Sequence, residues 1–175
     1  IYLLWNKQVG QDRIKEEAEV FWQQMREFRA DFRANGPFAF QGHVNEAYDM
    51  LDATSVKLVE MDDAAKKLND TKELYELPVI EYQDTKNTRE ELGALKRMWD
   101  FKANVDNVYA DWNTMLWNEV DTEALDDQNK AILKNLRAMG NENPVMKGWQ
   151  VFRDIEDAIK NMVLVLPLCN DLHNP

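Results

Sequence analysis

The stretch Leu92–Val120, LGALKRMWDFKANVDNVYADWNTMLWNEV, carries three of the chain's six tryptophans, Trp99, Trp112 and Trp117. Its apolar residues fall at Leu95, Met98, Phe101, Val105, Val108, Trp112 and Met115, in steps of 3, 3, 4, 3, 4 and 3. That spacing keeps one face of an α-helix continuously apolar. Leu92, Trp99 and Tyr109 widen the face, so the helix needs partners on more than one side. The stretch predicts the central rod of a helical assembly.

The totals agree with helices. Of 175 residues, 45% are hydrophobic and 30% charged, while Gly is 6, Pro 5 and Ser a single residue, Ser55. So few turn formers exclude a β-rich chain, and eight methionines suit helix-on-helix packing with irregular gaps. The net charge of −11 repels phosphate backbones, which argues against a nucleic-acid partner and against a direct grip on an acidic microtubule surface. Cys169 is the single cysteine, so no intrachain disulfide can form, and a reducing interior is expected. The longest apolar run, Met162–Cys169, is too short to span a bilayer. Opening on Ile1 and closing on DLHNP, the sequence reads as a piece of something longer.

Five helices are expected. The first covers about 12–34, stepping through Ile14, Ala18, Phe21, Met25, Phe28 and Phe32, with Asp12 as N-cap and Asn35-Gly36-Pro37 as stop. Before it, Tyr2, Leu3, Leu4 and Trp5 are costly to leave in water and are expected to dock on a partner. The second, about 41–75, holds heptad spacing from Val44 to Leu68, broken by Lys72, and would be a rod of about 50 Å. Its thin seam (Ala47, Thr54, Ala65) suits a coiled-coil contact with the first helix. Residues 77–86 read as an extended link, because Pro78 pushes Leu77 out of the α region.

The third helix, about 87–116, is the central rod. Residues 117–120 form a turn, with Trp117 plugging it. The fourth, about 122–139, is capped by Asp121 or Thr122 and stopped by Gly140-Asn141. The fifth, about 147–165, is broken by Pro167. The fold class is therefore all-α: an elongated antiparallel bundle with a coiled-coil-like N-terminal helix pair. The structural core is assigned to Leu95, Met98, Trp99, Phe101, Val105, Val108, Trp112, Trp117, Leu133, Leu136, Trp149, Phe152, Ile155, Ile159 and Leu166.

Chemistry is sparse. The six glycines are scattered, and neither G-x-x-x-x-G-K-[ST] nor G-x-G-x-x-G occurs, so no backbone cradle for phosphate is expected. His43 and His173 are far apart, and a Cys169/His173 pair lacks further ligands for a metal. Asp62-Asp63 and Asp126-Asp127 lack the alternation and glycine of a calcium loop. Ser55 lies within a helix, not on the sharp turn of a nucleophile. No catalytic, cofactor-binding or metal residue is assigned.

Particular stretches match a known family. ELYELPVIEY (73–82), LKRMWD (95–100), Trp112 with LWNEVD (116–121), GWQVFRDIEDAI (148–159) and LPLCNDLHNP (166–175) occur in order. Over 73–175 the chain resembles the dynein heavy chain where the tail passes into the N-terminal part of the motor's linker, in wording nearer the axonemal type. Residues 1–72 share helical character. The resemblance implies distal tail helices over 1–76 and the N-terminal part of the linker over 77–175. It implies a force-transmitting, non-catalytic segment of a minus-end-directed microtubule motor in the cytoskeleton of a cilium or flagellum. ATP would be bound by later parts of the heavy chain. The partners implied are the rest of that chain and other heavy, intermediate and light chains, with no membrane contact. The competing reading is a stand-alone helical adapter that docks a partner helix in a groove.

Overall fold

The computed structural model describes residues 2–39, 41–115 and 120–173, with the side chains of residues 2, 3, 170, 172 and 173 outside the description. Trp117, the turn it was expected to plug, and the docking of Tyr2 and Leu3 fall outside the described residues. The elements are α1 (Tyr2–Asn35), α2 (Val44–Leu74), α3 (Gln83–Thr114), α4 (Thr122–Glu142), a short 3-10 helix (Pro144–Gly148) and α5 (Gln150–His173). The all-α expectation holds, and no strand occurs among the described residues.

The chain divides into two compact units, Ile1–Gly36 with Asp49–Gly93, and Pro37–Tyr48 with Ala94–Pro175. In the first unit α1 and α2 run antiparallel: Lys7 meets Glu76, while Phe21 and Met25 cluster with Ala65 and Tyr82. The rings of Phe21 and Tyr82 meet edge-on, with centroids 5.2 Å apart. Arg29 and Arg33 of α1 converge on Glu91 of α3, at 3.0 and 2.6 Å, and Arg29 also donates to the Thr88 hydroxyl at 3.0 Å. Arg89 of α3 pairs with Asp62 of α2.

In the second unit α3, α4 and α5 run antiparallel in succession: Tyr109 meets Asn129, Gly140 meets Phe152, and Asn129 meets Ile159. Its core joins Leu95, Met98 and Trp99 of α3, Leu136 of α4, Met146, and Val151, Phe152, Ile155 and Ile159 of α5, all buried.

Several boundaries differ from the sequence reading. Helix α1 begins near residue 2, so Asp12 is interior and not a cap; its carboxylate accepts from Gln8 at 3.0 Å. Tertiary packing carries the helix through Gly10, which lies against the Tyr75 ring, while Gln11 donates to the Tyr75 carbonyl at 2.8 Å. Leu4 and Trp5 are helical and exposed.

Helix α2 ends at Leu74 in a left-handed stop. Glu76 has φ 58°, Leu77 N–H donates to the Lys72 carbonyl and Glu76 N–H to that of Glu73. This is the paired-bond ending in which glycine usually holds the left-handed position, here held by glutamate. The extended link closes at Tyr82, not at residue 86, and α3 continues through Gly93 without a break.

Gly140-Asn141 does not stop α4. The stop is Asn143-Pro144: proline holds Asn143 extended (φ −129°, ψ 92°), and the Asn143 side chain accepts from Val145 N–H. Gly140 is required instead for close packing, since a Cβ there would stand 2.9 Å from Phe152 Cζ. Residues 144–148, expected in part within the fifth helix, form the 3-10 helix. Pro167 lies inside α5, whose flanking turns close around it despite one absent N–H. Among the described residues no helix is long and apolar enough to cross a membrane.

Candidate functional site: the side chains that lock the helices

Each unit is held by side chains that tie one helix to another, and the second unit shows it most clearly. Trp99 is fully buried on α3, and its indole N–H donates to the Pro37 carbonyl at 2.8 Å. The next residue, Phe38, accepts from Val151 N–H at 2.9 Å, satisfying a backbone donor of α5's first turn, and sets its ring edge-on to Trp149 at 5.3 Å. Pro37 and Phe38 thus tie α3 and α5 together. In the first turns of α2 the Tyr48 hydroxyl donates to Asp100 at 2.5 Å. Burial, then the Asp100 carboxylate, pushes the Tyr48 hydroxyl up to about 12.

A second lock is polar. Asn129 is fully buried on α4; it accepts from the Tyr109 hydroxyl at 2.6 Å and donates to the Ile159 carbonyl at 3.1 Å. One amide therefore bridges α3, α4 and α5. Burial pushes the Tyr109 hydroxyl up to about 12. Beside it, the Trp112 ring lies 5.1 Å from Tyr109 and its N–H donates to Gln128 at 3.2 Å. On the outer side of the α4–α5 contact, Glu156 is held below the usual carboxylate range by a hydrogen bond from Lys160 and the nearby Arg137.

The residues assigned to the core take these places. Leu95, Met98, Trp99, Val105, Leu136, Phe152, Ile155, Ile159 and Leu166 are buried, while Phe101, Val108, Trp112, Leu133 and Trp149 are half-buried. Trp112 and Trp149 each spend one edge on a polar or aromatic neighbour rather than disappearing inside.

Three features escaped the sequence reading. Asn129 fills the gap in α4's apolar stripe between Leu125 and Ile132, and that gap was the available signal. Lys72, which broke the heptad of α2, is buried and donates to the Tyr82 hydroxyl at 3.2 Å. Pro37 and Phe38 carried no periodic signal at all. Among the described residues no group of three or more His, Cys, Asp or Glu side chains could hold a metal ion.

These arrangements define an all-helical segment whose buried side chains fasten its helices to one another. The family described as "Dynein heavy chain, N-terminal region 2" matches residues 85–175, more than half of the chain. The chain is 30% identical over 169 residues to the flagellar outer arm dynein alpha chain of Chlamydomonas reinhardtii, covering 95% of this chain. It is 29% identical over 175 residues to the beta chain of the same arm, and 28% identical over 162 residues to human dynein axonemal heavy chain 17, each covering 93% of this chain. The likeness therefore takes in most of residues 1–72 as well. The chain spans about 4% of the length of these relatives.

The chain belongs to the dynein heavy chain family, as a segment of the heavy chain's N-terminal region of axonemal type. Flagellar, ciliary and axonemal relatives alike place such a segment in the axonemal cytoskeleton.

Proposed function

We propose that the segment transmits force between the tail and the ATPase ring of a minus-end-directed microtubule motor in cilia or flagella. Residues 1–76 serve as distal tail helices and 77–175 as the N-terminal part of the linker. The family match over residues 85–175 is the observation that carries this reading. The Trp99–Pro37 and Asn129–Ile159 locks support it, because a lever passes load only if its helices do not slide past one another. ATP is bound by later parts of the heavy chain and none by this segment. Its partners are the rest of the heavy chain and other dynein chains, with no nucleic acid, membrane or direct microtubule contact.

The experiment is gliding motility with the full heavy chain carrying Asn129→Ala, alongside its ATPase rate. Softening the lever should slow gliding while ATP turnover stays near normal. Gliding that is unchanged in a variant shown to be destabilised would sink the force-transmission reading. Calorimetry of the 175-residue chain with ATP should give no binding heat; micromolar affinity would contradict the assignment of ATP to other parts.

A further inference from the structure

The first unit carries a groove of about 460 Å³ between the Lys15–Trp22 stretch of α1 and the link after α2. Trp22, Leu77, Pro78 and Ile80 form its apolar lining, and Trp22 and Ile80 are 45% and 50% exposed. The Arg26 guanidinium covers one face of the Trp22 ring, 5.1 Å from its centroid.

Lys72 also lines this groove and is only 4% exposed. Its ammonium donates to the Tyr82 hydroxyl at 3.2 Å and stands 5.4 Å from that ring's centroid. Among the described residues no carboxylate pairs with it. An ammonium has three donors, and a buried cation facing only a hydroxyl and a ring keeps donor capacity for an anion. The other charges in the lining are Lys15, already paired with Asp12 at 3.3 Å, and Glu19. With Lys15 engaged by Asp12, Lys72 is the lysine of this lining that keeps donor capacity, in a chain of net charge −11.

We propose that this groove docks a segment of another polypeptide carrying a bulky apolar side chain beside a carboxylate. The apolar side chain packs on Trp22, Pro78 and Ile80, and the carboxylate takes the Lys72 ammonium. A second copy of this chain is disfavoured by its own net charge of −11.

The test is an NMR titration of the 175-residue chain with acetyl-leucyl-tryptophyl-aspartate amide and with its asparagine counterpart. The aspartate peptide should shift amides around Trp22 and Ile80 and bind about fivefold tighter than the asparagine peptide, the scale of one charge-assisted contact. Lys72→Met should bring the two affinities together, and Trp22→Ala should weaken both. Equal affinities on the unaltered chain, shifts elsewhere, or a preference that survives Lys72→Met would overturn the proposal. If Lys72→Met does not fold, Trp22→Ala at a half-exposed ring decides, since undiminished binding there also overturns it. Decanoate binding the same amides more tightly than the peptide would assign the groove to a lipid instead. Self-association that shifts these amides would assign it to a second copy. Either outcome overturns a polypeptide partner.

Discussion

The indole N–H of Trp99 donates to the carbonyl of Pro37 at 2.8 Å, with both residues fully buried. A ring in the middle of α3 thereby holds a segment 62 residues earlier in the chain. Two energies are combined there, apolar burial of the ring and satisfaction of a buried carbonyl. They can be separated: Trp99→Ala should cost about 3–5 kcal/mol, while Trp99→Phe, which keeps a ring but leaves the carbonyl unbonded, should cost about 1–3 kcal/mol. Urea melts of the two variants check this. A loss below about 1 kcal/mol for Trp99→Ala would place the ring outside the core.

Asn129 is the complementary case, a buried polar pin. Asn129→Ala removes the acceptor for Tyr109 and the donor to Ile159, so it should destabilise by about 1–3 kcal/mol. Tyr109→Phe removes one of the same bonds. The double variant should therefore lose less than the sum of the two single losses, as expected for residues in one network. Strict additivity in a double-mutant cycle would show that the two side chains do not act together.

Two glycines in helices should respond with opposite signs. Nothing stands within 4 Å of a Cβ built at Gly93 in α3, so Gly93→Ala should stabilise by about 1 kcal/mol through helix propensity. At Gly140 in α4 the added Cβ would meet Lys147 Cε at 2.8 Å and Phe152 Cζ at 2.9 Å. Gly140→Ala should therefore destabilise by about 1–3 kcal/mol despite the same propensity gain. Thermal unfolding midpoints of the two variants, moving in opposite directions, are the expected outcome.

Alkaline pH probes the Tyr109–Asn129 pin. Burial raises the Tyr109 hydroxyl to about 12, whereas an unfolded tyrosine titrates near about 10. The neutral phenol is thus favoured in the folded chain. Its contribution is fully present below about pH 10 and is lost as pH rises towards about 12, because the unfolded chain releases the proton first. Denaturant melts across this window should show a decline that is shallower in Tyr109→Phe. An identical decline in both proteins would exclude Tyr109 as its source.

Pro167 offers a fifth test. Inside α5 it leaves the Val163 carbonyl without its helical donor, so Pro167→Ala should raise helicity and stabilise the chain, by up to about 3 kcal/mol. Circular dichroism during thermal unfolding reads both effects.

The predicted helices and the observed ones agree best where periodicity alone decides. The 3-and-4 spacing is met by buried side chains at Leu95, Met98 and Val105, with Phe101 half-buried between them, and at Phe152, Ile155 and Ile159. Local stop signals were less dependable. Gly140 looked like a helix ending because glycine often is one, yet it serves a close approach of Phe152. Pro167 looked like a break, yet α5 continues around it. Glu76 adopts the left-handed ending without being a glycine.

Order along the chain was enough to specify the all-α class, the main apolar faces and the dynein heavy chain resemblance, since each depends on residues close together or on short motifs in sequence. The locks were not available from that order. Pro37 with Trp99, Asn129 with Ile159, and Lys72 with Tyr82 are pairings between different parts of the chain. A polar group can be buried only where some other part of the chain supplies its hydrogen bond, and that supply exists only once the helices have packed.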